Sequence, residues 1–195
     1  MILPHADDTH TEQTMDGKAG ARFRDDRRAR LHLWRTWSNA APLGFLMLNP
    51  SIAGVDDDPT ITRCIGFARR EGAGGIVVCN LSPIIATNPR VLYGMLDAMG
   101  MPDECPAVFP IGHREQRAAA FAACTSIVAA WGAFAGAGMK ARACLEVEAG
   151  RAYGDLVTAR GHRFFCLGVT AGGGPRHPLY LANDTPMLPW GIAHV

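Results

Sequence analysis

The sequence predicts a three-layer α/β/α sandwich built on a central, mainly parallel four-stranded sheet. Two observations lead there. Four short apolar runs, at 43–51, 75–81, 127–132 and 164–168, each end in a polar or glycine-bearing loop. Such runs between turn signals read as buried parallel strands. Segments with helical apolar spacing lie between them, and strands alternating with helices make parallel-sheet α/β domains. In open sheets of this kind, ligands bind outside the carboxyl ends of the strands. Asn49, Asn80 and His177, the last in the loop that follows the fourth run, are therefore expected over one edge of one sheet.

The elements follow in order. Residues 1–20, rich in Asp, Thr and His, read as a disordered leader. Residues 21–195 read as a single domain, long enough to bury a sizeable core. Residues 22–37 mix basic and apolar groups, with 31–35 as a first strand at a sheet edge. Its arginines read as a solvated face in preference to a nucleic-acid contact. After the first apolar run and a loop over 52–58, Pro59 occupies the first helical position, with Asp58 as N-cap. The helix runs over 60–71 with Ile61, Ile65 and Phe67 or Ala68 inward, and Gly72 stops it. A loop over 82–91 leads to a short helix over 92–99, and 100–112 is Pro-rich and irregular. An Ala-rich helix covers 114–124. Gly136-Ala137-Gly138 reads as a hinge. A helix over 141–160, weakened by Gly150 and Gly154, ends at Gly161. The tail after Asn183 reads as irregular.

Composition narrows the class. Hydrophobic residues make up 48% and charged residues 19% of the chain, a globular balance. The net charge of +1 neither demands nor excludes a nucleic-acid partner. No apolar run reaches membrane-spanning length and the polar start lacks a signal-peptide core, so a cytoplasmic location is expected. The six cysteines are too widely spaced for a zinc or iron–sulfur motif and read as reduced, mostly structural thiols. The Asp56-Asp57-Asp58 triplet lacks the spacing of a calcium loop, and a helix N-terminus accounts for it. Nothing in the sequence calls for a metal or a cofactor.

Three motifs end the strands. In Asn49-Pro50-Ser51, Pro50 keeps Asn49 out of the helical region and stiffens the turn. Taken alone, Asn49 reads as a turn residue bonded to its own loop. Asn80 offers a donor and an acceptor to the edge of a planar ligand, or serves as a turn residue in its turn. His177 lies in Gly172-Gly173-Gly174-Pro175-Arg176-His177-Pro178-Leu179-Tyr180-Leu181. This loop lacks the Lys-Ser/Thr of a P-loop. A mobile, glycine-rich loop that carries His and exposed apolar residues points to function, although Leu179 and Tyr180 could simply pack back on the core.

In order and chemistry these segments resemble the uracil-DNA glycosylase superfamily. Leu48-Asn49-Pro50-Ser51 is similar to the GINPG motif of its mismatch-specific branch, the counterpart of GQDPY in the uracil-specific branch. Val77-Val78-Cys79-Asn80 is similar to a strand ending LLLN. The segment from Ala129 to Ala135 is similar to LLWGSYAQ, and His177-Pro178-Leu179-Tyr180-Leu181 to HPSPLS. A nearer resemblance is to a bacterial and phage family of unknown function with the pattern Met-x-Asn-Pro-Ser followed by Asp-Asp-Pro-Thr. Here that pattern is Met47 to Ser51 and Asp57-Asp58-Pro59-Thr60, and the likeness extends over 28–181.

The resemblance implies a glycosylase that flips a nucleotide out of DNA and hydrolyses its N-glycosidic bond. Asn49 would orient the attacking water and His177 would hydrogen-bond the departing base. Asn80 would read the base edge, with Ser51, Pro50 and Leu48 beside it. Leu179, Tyr180 or Leu181 would wedge into the vacated stack, and Arg176 would touch a phosphate. Asn is a poor base, so leaving-group stabilisation would carry much of the catalysis. Ser51 replaces the bulky aromatic of GQDPY that blocks pyrimidine C5, which implies tolerance of a 5-substituted pyrimidine, such as a modified phage base, as well as uracil. The aromatic that stacks on the base is not evident, and Phe67 and Phe134 both read as core. The role would be DNA repair or defence against modified phage DNA. Two other readings stand beside this one: a non-catalytic nucleic-acid or nucleotide-binding module on the same fold, and a hydrolase of free nucleosides or nucleotides.

Overall fold

A computed structural model describes residues 9–24, 27–51, 54–99 and 108–191. The protein is an α/β fold on one mixed eight-stranded sheet. The strands are β1 (Thr9–Gln13), β2 (Ala19–Arg24), β3 (Arg30–Thr36), β4 (Leu43–Met47), β5 (Gly75–Asn80), β6 (Ser126–Ala129), β7 (Arg163–Cys166) and β8 (Leu188–Pro189), in the order β1-β2-β3-β5-β4-β6-β7-β8. The helices are α1 (Pro59–Arg70), α2 (Pro89–Met99), α3 (His113–Ala120) and α4 (Met139–Tyr153).

The four apolar runs become β4, β5, β6 and β7. They lie side by side and parallel, in the order β5-β4-β6-β7. The expected four-stranded sheet is corrected by the flanks. Antiparallel β1, β2 and β3 extend it on one side and the two-residue β8 on the other. The leader expected over 1–20 is likewise corrected from Thr9 onward, because these residues form β1 and enter β2; residues 1–8 lie outside the described residues. The hairpin turns at Asp16-Gly17, where Gly17 has φ +68°, a two-residue turn signal typical of hairpins. β1 is too polar and half-exposed to show an apolar run. β2 is anchored instead by Ala21 and Phe23, which join Leu33 of β3 in the core.

Side chains alternate across the sheet. Leu43, Phe45, Met47, Ile76, Val78 and Val128 pack under α1 with Ile61, Cys64, Phe67 and Ala68. Leu46, Val77, Cys79, Ile127 and Ala129 face α2, α3 and α4 on the other side. The chain leaves β4 through α1 to reach β5 on one side, then crosses the other face to β6 and β7. The winding therefore reverses at β4, and open α/β sheets bind ligands outside the carboxyl end of a strand at such a reversal.

α1 begins as its sequence requires: the Asp58 side chain accepts the Ile61 N–H at 2.8 Å, Pro59 stands in the first turn, and Gly72 follows with φ +72°. The helix expected over 141–160 is α4 to Tyr153, and then a π-turn over Gly154–Thr158. The widening starts at Gly154, one of the two glycines expected to weaken the helix. Cys64, Cys79, Cys124, Cys144 and Cys166 are buried thiols outside any disulfide. Burial pushes the Cys64, Cys79 and Cys166 thiols up, and Cys124 up to about 12, as fits structural thiols.

The arginines of β3 are not a solvated face. Arg30 and Arg35 are buried. Arg35, 6% exposed, donates through Nε to Asp57 Oδ1 at 2.7 Å. Its Nη1 donates to the carbonyls of Gly20 and Trp34, and its Nη2 to those of Gly54 and Val55 at 3.0 and 2.7 Å. One side chain thus ties β2, β3 and the loop before α1 together. Arg35→Met leaves those buried carbonyls without donors, which predicts a loss of about 3 kcal/mol in chemical denaturation. The same change at exposed Arg22 should cost less than about 0.5 kcal/mol.

On the opposite face, fully buried Glu148 of α4 meets three cationic or titratable groups of α3. His113 Nε2 lies 3.3 Å away, Arg114 Nη2 2.8 Å and Arg117 Nη1 3.0 Å. Arg117 Nη1 also lies 3.5 Å from the carbonyl oxygens of Asn80 and Leu81, at the end of β5. Burial alone would raise the Glu148 carboxyl. The His113 hydrogen bond and the Arg117 charge outweigh it and hold the group at about 2. His32 is pushed down to about 4 by burial, with Arg22 and Arg30 adding to the shift. Both folded-state values lie below the ordinary ones, so both groups contribute stability that is lost as pH falls. The window for His32 runs from 6.5 to about 4 and that for Glu148 from 4.5 to about 2. Urea titrations across pH should show His32→Gln flattening the first window and Glu148→Gln the second.

Candidate functional site

The site is assembled at the carboxyl end of β4 and β5, on the α1 face. Asn49 follows β4 and is partly buried. Its Nδ2 donates to the carbonyls of Pro50 and Ala86 at 3.0 and 2.8 Å, and the Ala86 N–H returns a bond to the Pro50 carbonyl at 2.9 Å. The loop after β4 is thereby locked to the loop after β5. With both amide protons spent on carbonyls, the amide cannot be reversed, and Oδ1 is left as the accepting atom.

Ser51 donates its hydroxyl to Asp58 Oδ2 at 3.1 Å, while Asp58 Oδ1 caps α1. The carboxylate thus serves the helix with one oxygen and the strand-end loop with the other. Arg30 is buried close enough to interact with it. Burial pushes this guanidinium down to about 10, and Asp58 opposes the shift, so it stays charged at neutral pH.

Asn80 closes β5. Alternation along the strand puts its side chain with Ile76 and Val78, on the α1 face. It is 4% exposed, and neither Nδ2 nor Oδ1 has a hydrogen-bond partner among the described residues. Each unmade bond costs about 1–3 kcal/mol.

His177 caps a single 3₁₀ turn, Pro178–Tyr180, which packs against α1. Its Nδ1 accepts the Leu179 N–H at 3.3 Å. In the neutral ring the proton then sits on Nε2, which is left as a donor. Burial lowers the imidazole below its ordinary value, and the nearby Asp58 opposes this.

The loop that carries His177 is tied down. Thr170 N–H donates to Gly174 O at 2.8 Å, Gly174 N–H to Thr170 Oγ1 at 3.1 Å, and Gly132 N–H to Pro175 O at 2.9 Å. Gly174 packs so closely that a Cβ there would lie 2.1 Å from the Gly132 carbonyl oxygen. The glycines thus allow β6 and this loop to approach, a reason independent of any phosphate.

The remaining expected residues separate. Tyr180 is 84% exposed, Arg176 is exposed and Leu179 is half-buried. Leu181 is corrected as a wedge: it is buried in the core under α1. Pro50 is buried. Leu48 packs against the core on the opposite side from Asn80. Phe67 and Phe134 are both core residues. Two members of the site, Asp58 and Arg30, were not among those expected. Asp58 was legible only as a helix cap, and Arg30 was hidden in a basic segment.

These features define an α/β protein with a polar, amide-rich site at the sheet's winding reversal. The chain belongs to a family described as proteins of unknown function (DUF1643), whose model matches residues 30–179. No curated protein and no solved structure matches it. The matched span takes in every strand-end residue of the site.

NMR of ¹⁵N-histidine protein tests the His177 geometry. The ring should be the Nε2–H tautomer at pH 7 and titrate below 6.5. Asp58→Asn, which removes the opposing charge, should lower its midpoint further.

Proposed function

We propose that the protein is a DNA glycosylase of the uracil-DNA glycosylase type. It flips uracil or a 5-substituted pyrimidine out of DNA and hydrolyses the N-glycosidic bond. The observation that carries this reading is the Asn80 amide, buried with its donor and acceptor both unpaired. A buried amide with this deficit complements a planar ligand that offers an adjacent acceptor and donor, as the edge of a pyrimidine does. Helices on both faces of the sheet also agree with the α/β/α architecture of the resemblance.

The chemistry asks little of strong acids or bases. As the glycosidic bond breaks, positive charge builds on the sugar and negative charge on the base. His177, neutral and with its proton on Nε2, donates to the base oxygen where that charge collects, and a donor fixed in place needs no reorganisation. Asn49 Oδ1, held by two bonds from its own Nδ2, accepts a hydrogen bond from the attacking water and aims its oxygen. Ser51, drawn toward Asp58, leaves room at pyrimidine C5. Tyr180 enters the gap left in the stack and Arg176 meets the backbone. The reading implies a cytoplasmic protein that acts in repair or in defence against modified phage DNA.

The test uses duplex and single-stranded DNA carrying uracil, 5-hydroxymethyluracil and 5-hydroxymethylcytosine, followed by alkali to cleave abasic sites. Strand breaks are expected, reduced about 100-fold or more in Asn49→Ala and His177→Ala. Asn80→Leu should bind undamaged DNA normally but lose base release. Binding without breaks would identify a non-catalytic module, and release from free nucleosides alone would identify a nucleoside hydrolase. Strict specificity for uracil would overturn the role given to Ser51.

A further inference from the structure

Asn49 can orient a water but cannot take its proton, because an amide oxygen is far too weak a base. The glycosylase reading, on which this inference rests, therefore leaves one proton without a destination. The site contains a carboxylate that can receive it. Asp58 Oδ2 accepts the Ser51 hydroxyl proton at 3.1 Å. A hydroxyl that donates inward presents its lone pairs outward, to the next donor. Ser51 and Asn49 flank Pro50, two residues apart in the loop that follows β4. The unpartnered Asn80 amide on the same face marks this as the ligand side of the sheet.

We propose that Ser51 and Asp58 form a proton relay, in which Asp58 accepts the proton of the attacking water through the Ser51 hydroxyl. The balance closes. Water oxygen forms a bond to C1′ as the C1′–N bond breaks, and its electron pair leaves with the base as an anion held by His177 Nε2–H. The water proton passes to Ser51 Oγ while the Ser51 proton passes to Asp58 Oδ2. Solvent later removes the proton from Asp58 and supplies one to the base. Ser51 touches the water; Asp58 acts through it as a positioning residue. Arg30 of β3, His177 before the 3₁₀ turn and Cys64 of α1 are the titratable groups that face the carboxylate. At neutral pH the first is a cation and the other two are neutral.

The helix cap makes the relay separable from the fold. Asn is as good an N-cap as Asp. In Asp58→Asn, one oxygen still caps α1, but the Oδ2 position becomes an NH₂ that cannot accept the Ser51 proton. The melting temperature should stay within about 3 °C of wild type. Single-turnover base release should fall about 10²-fold or more, with DNA affinity unchanged. The acid limb of the rate–pH profile should disappear. Ser51→Ala should show the same loss, and the double variant no more than either single one. A well-folded Asp58→Asn with the wild-type rate and profile would overturn the relay and leave the glycosylase reading intact, as would additive losses in the double variant. A wild-type protein that releases no base from any DNA substrate would overturn the glycosylase reading, and the relay with it.

Discussion

The structure depends on the buried guanidinium of Arg35. It lies where the antiparallel flank of the sheet meets the loop that starts α1, and it gives its protons to a carboxylate and to carbonyls from both. A buried charge is costly unless its hydrogen bonds are made. Here making them requires the loop over 54–57 to curl back over β3, which delivers Asp58 to the carboxyl end of β4. The helix cap, the Ser51 contact and the charge beside His177 all follow from that placement. The extra strands are therefore part of the site's support, and β3 contributes Arg30 to it.

Opposite faces of the sheet play different parts. The α1 face carries the polar groups of the site, and its helix starts at the carboxylate that the site uses. The other face is braced by Glu148, whose contacts with α3 and, through Arg117, with the carbonyls at the end of β5 fix the strand from behind. Asn80 thus projects from a strand end held by charge on one side and packed against α1 on the other. In the proposed role, an amide that reads a base edge must be held within a few tenths of an ångström, and such bracing would supply the rigidity.

The parallel centre of the sheet was legible in the sequence because strands buried on both faces show as unbroken apolar runs. The start of α1 was legible too, since Asp58-Pro59 is a local signal with a local cause. The flank was not. β1 is polar and half-exposed, and its best clue was the single dipeptide Asp16-Gly17. The local sequence around Arg30 and Arg35 suggests a solvated face because burial of an arginine is decided by partners more than ten residues away, and no local pattern reports them. Asn49, Asn80 and His177 were found as strand-end residues, but their states were not. The fixed amide of Asn49, the empty bonding shell of Asn80 and the tautomer of His177 all arise from neighbours distant in sequence. Leu181 was misplaced for a simpler reason: its apolar side chain suits a wedge and a core equally well.

The unmet bonds of Asn80 have a consequence for how this chain can change over time. Valine or isoleucine at that position would suit a buried strand end better than an amide does, and would relieve the native state of two unpaired groups. Stability alone therefore opposes Asn80, whereas it supports Arg35 and the Asp58 cap. Lineages that no longer use the site should drift to an apolar residue at 80 and keep the other two. The position thus separates what the fold requires from what the proposed ligand would require.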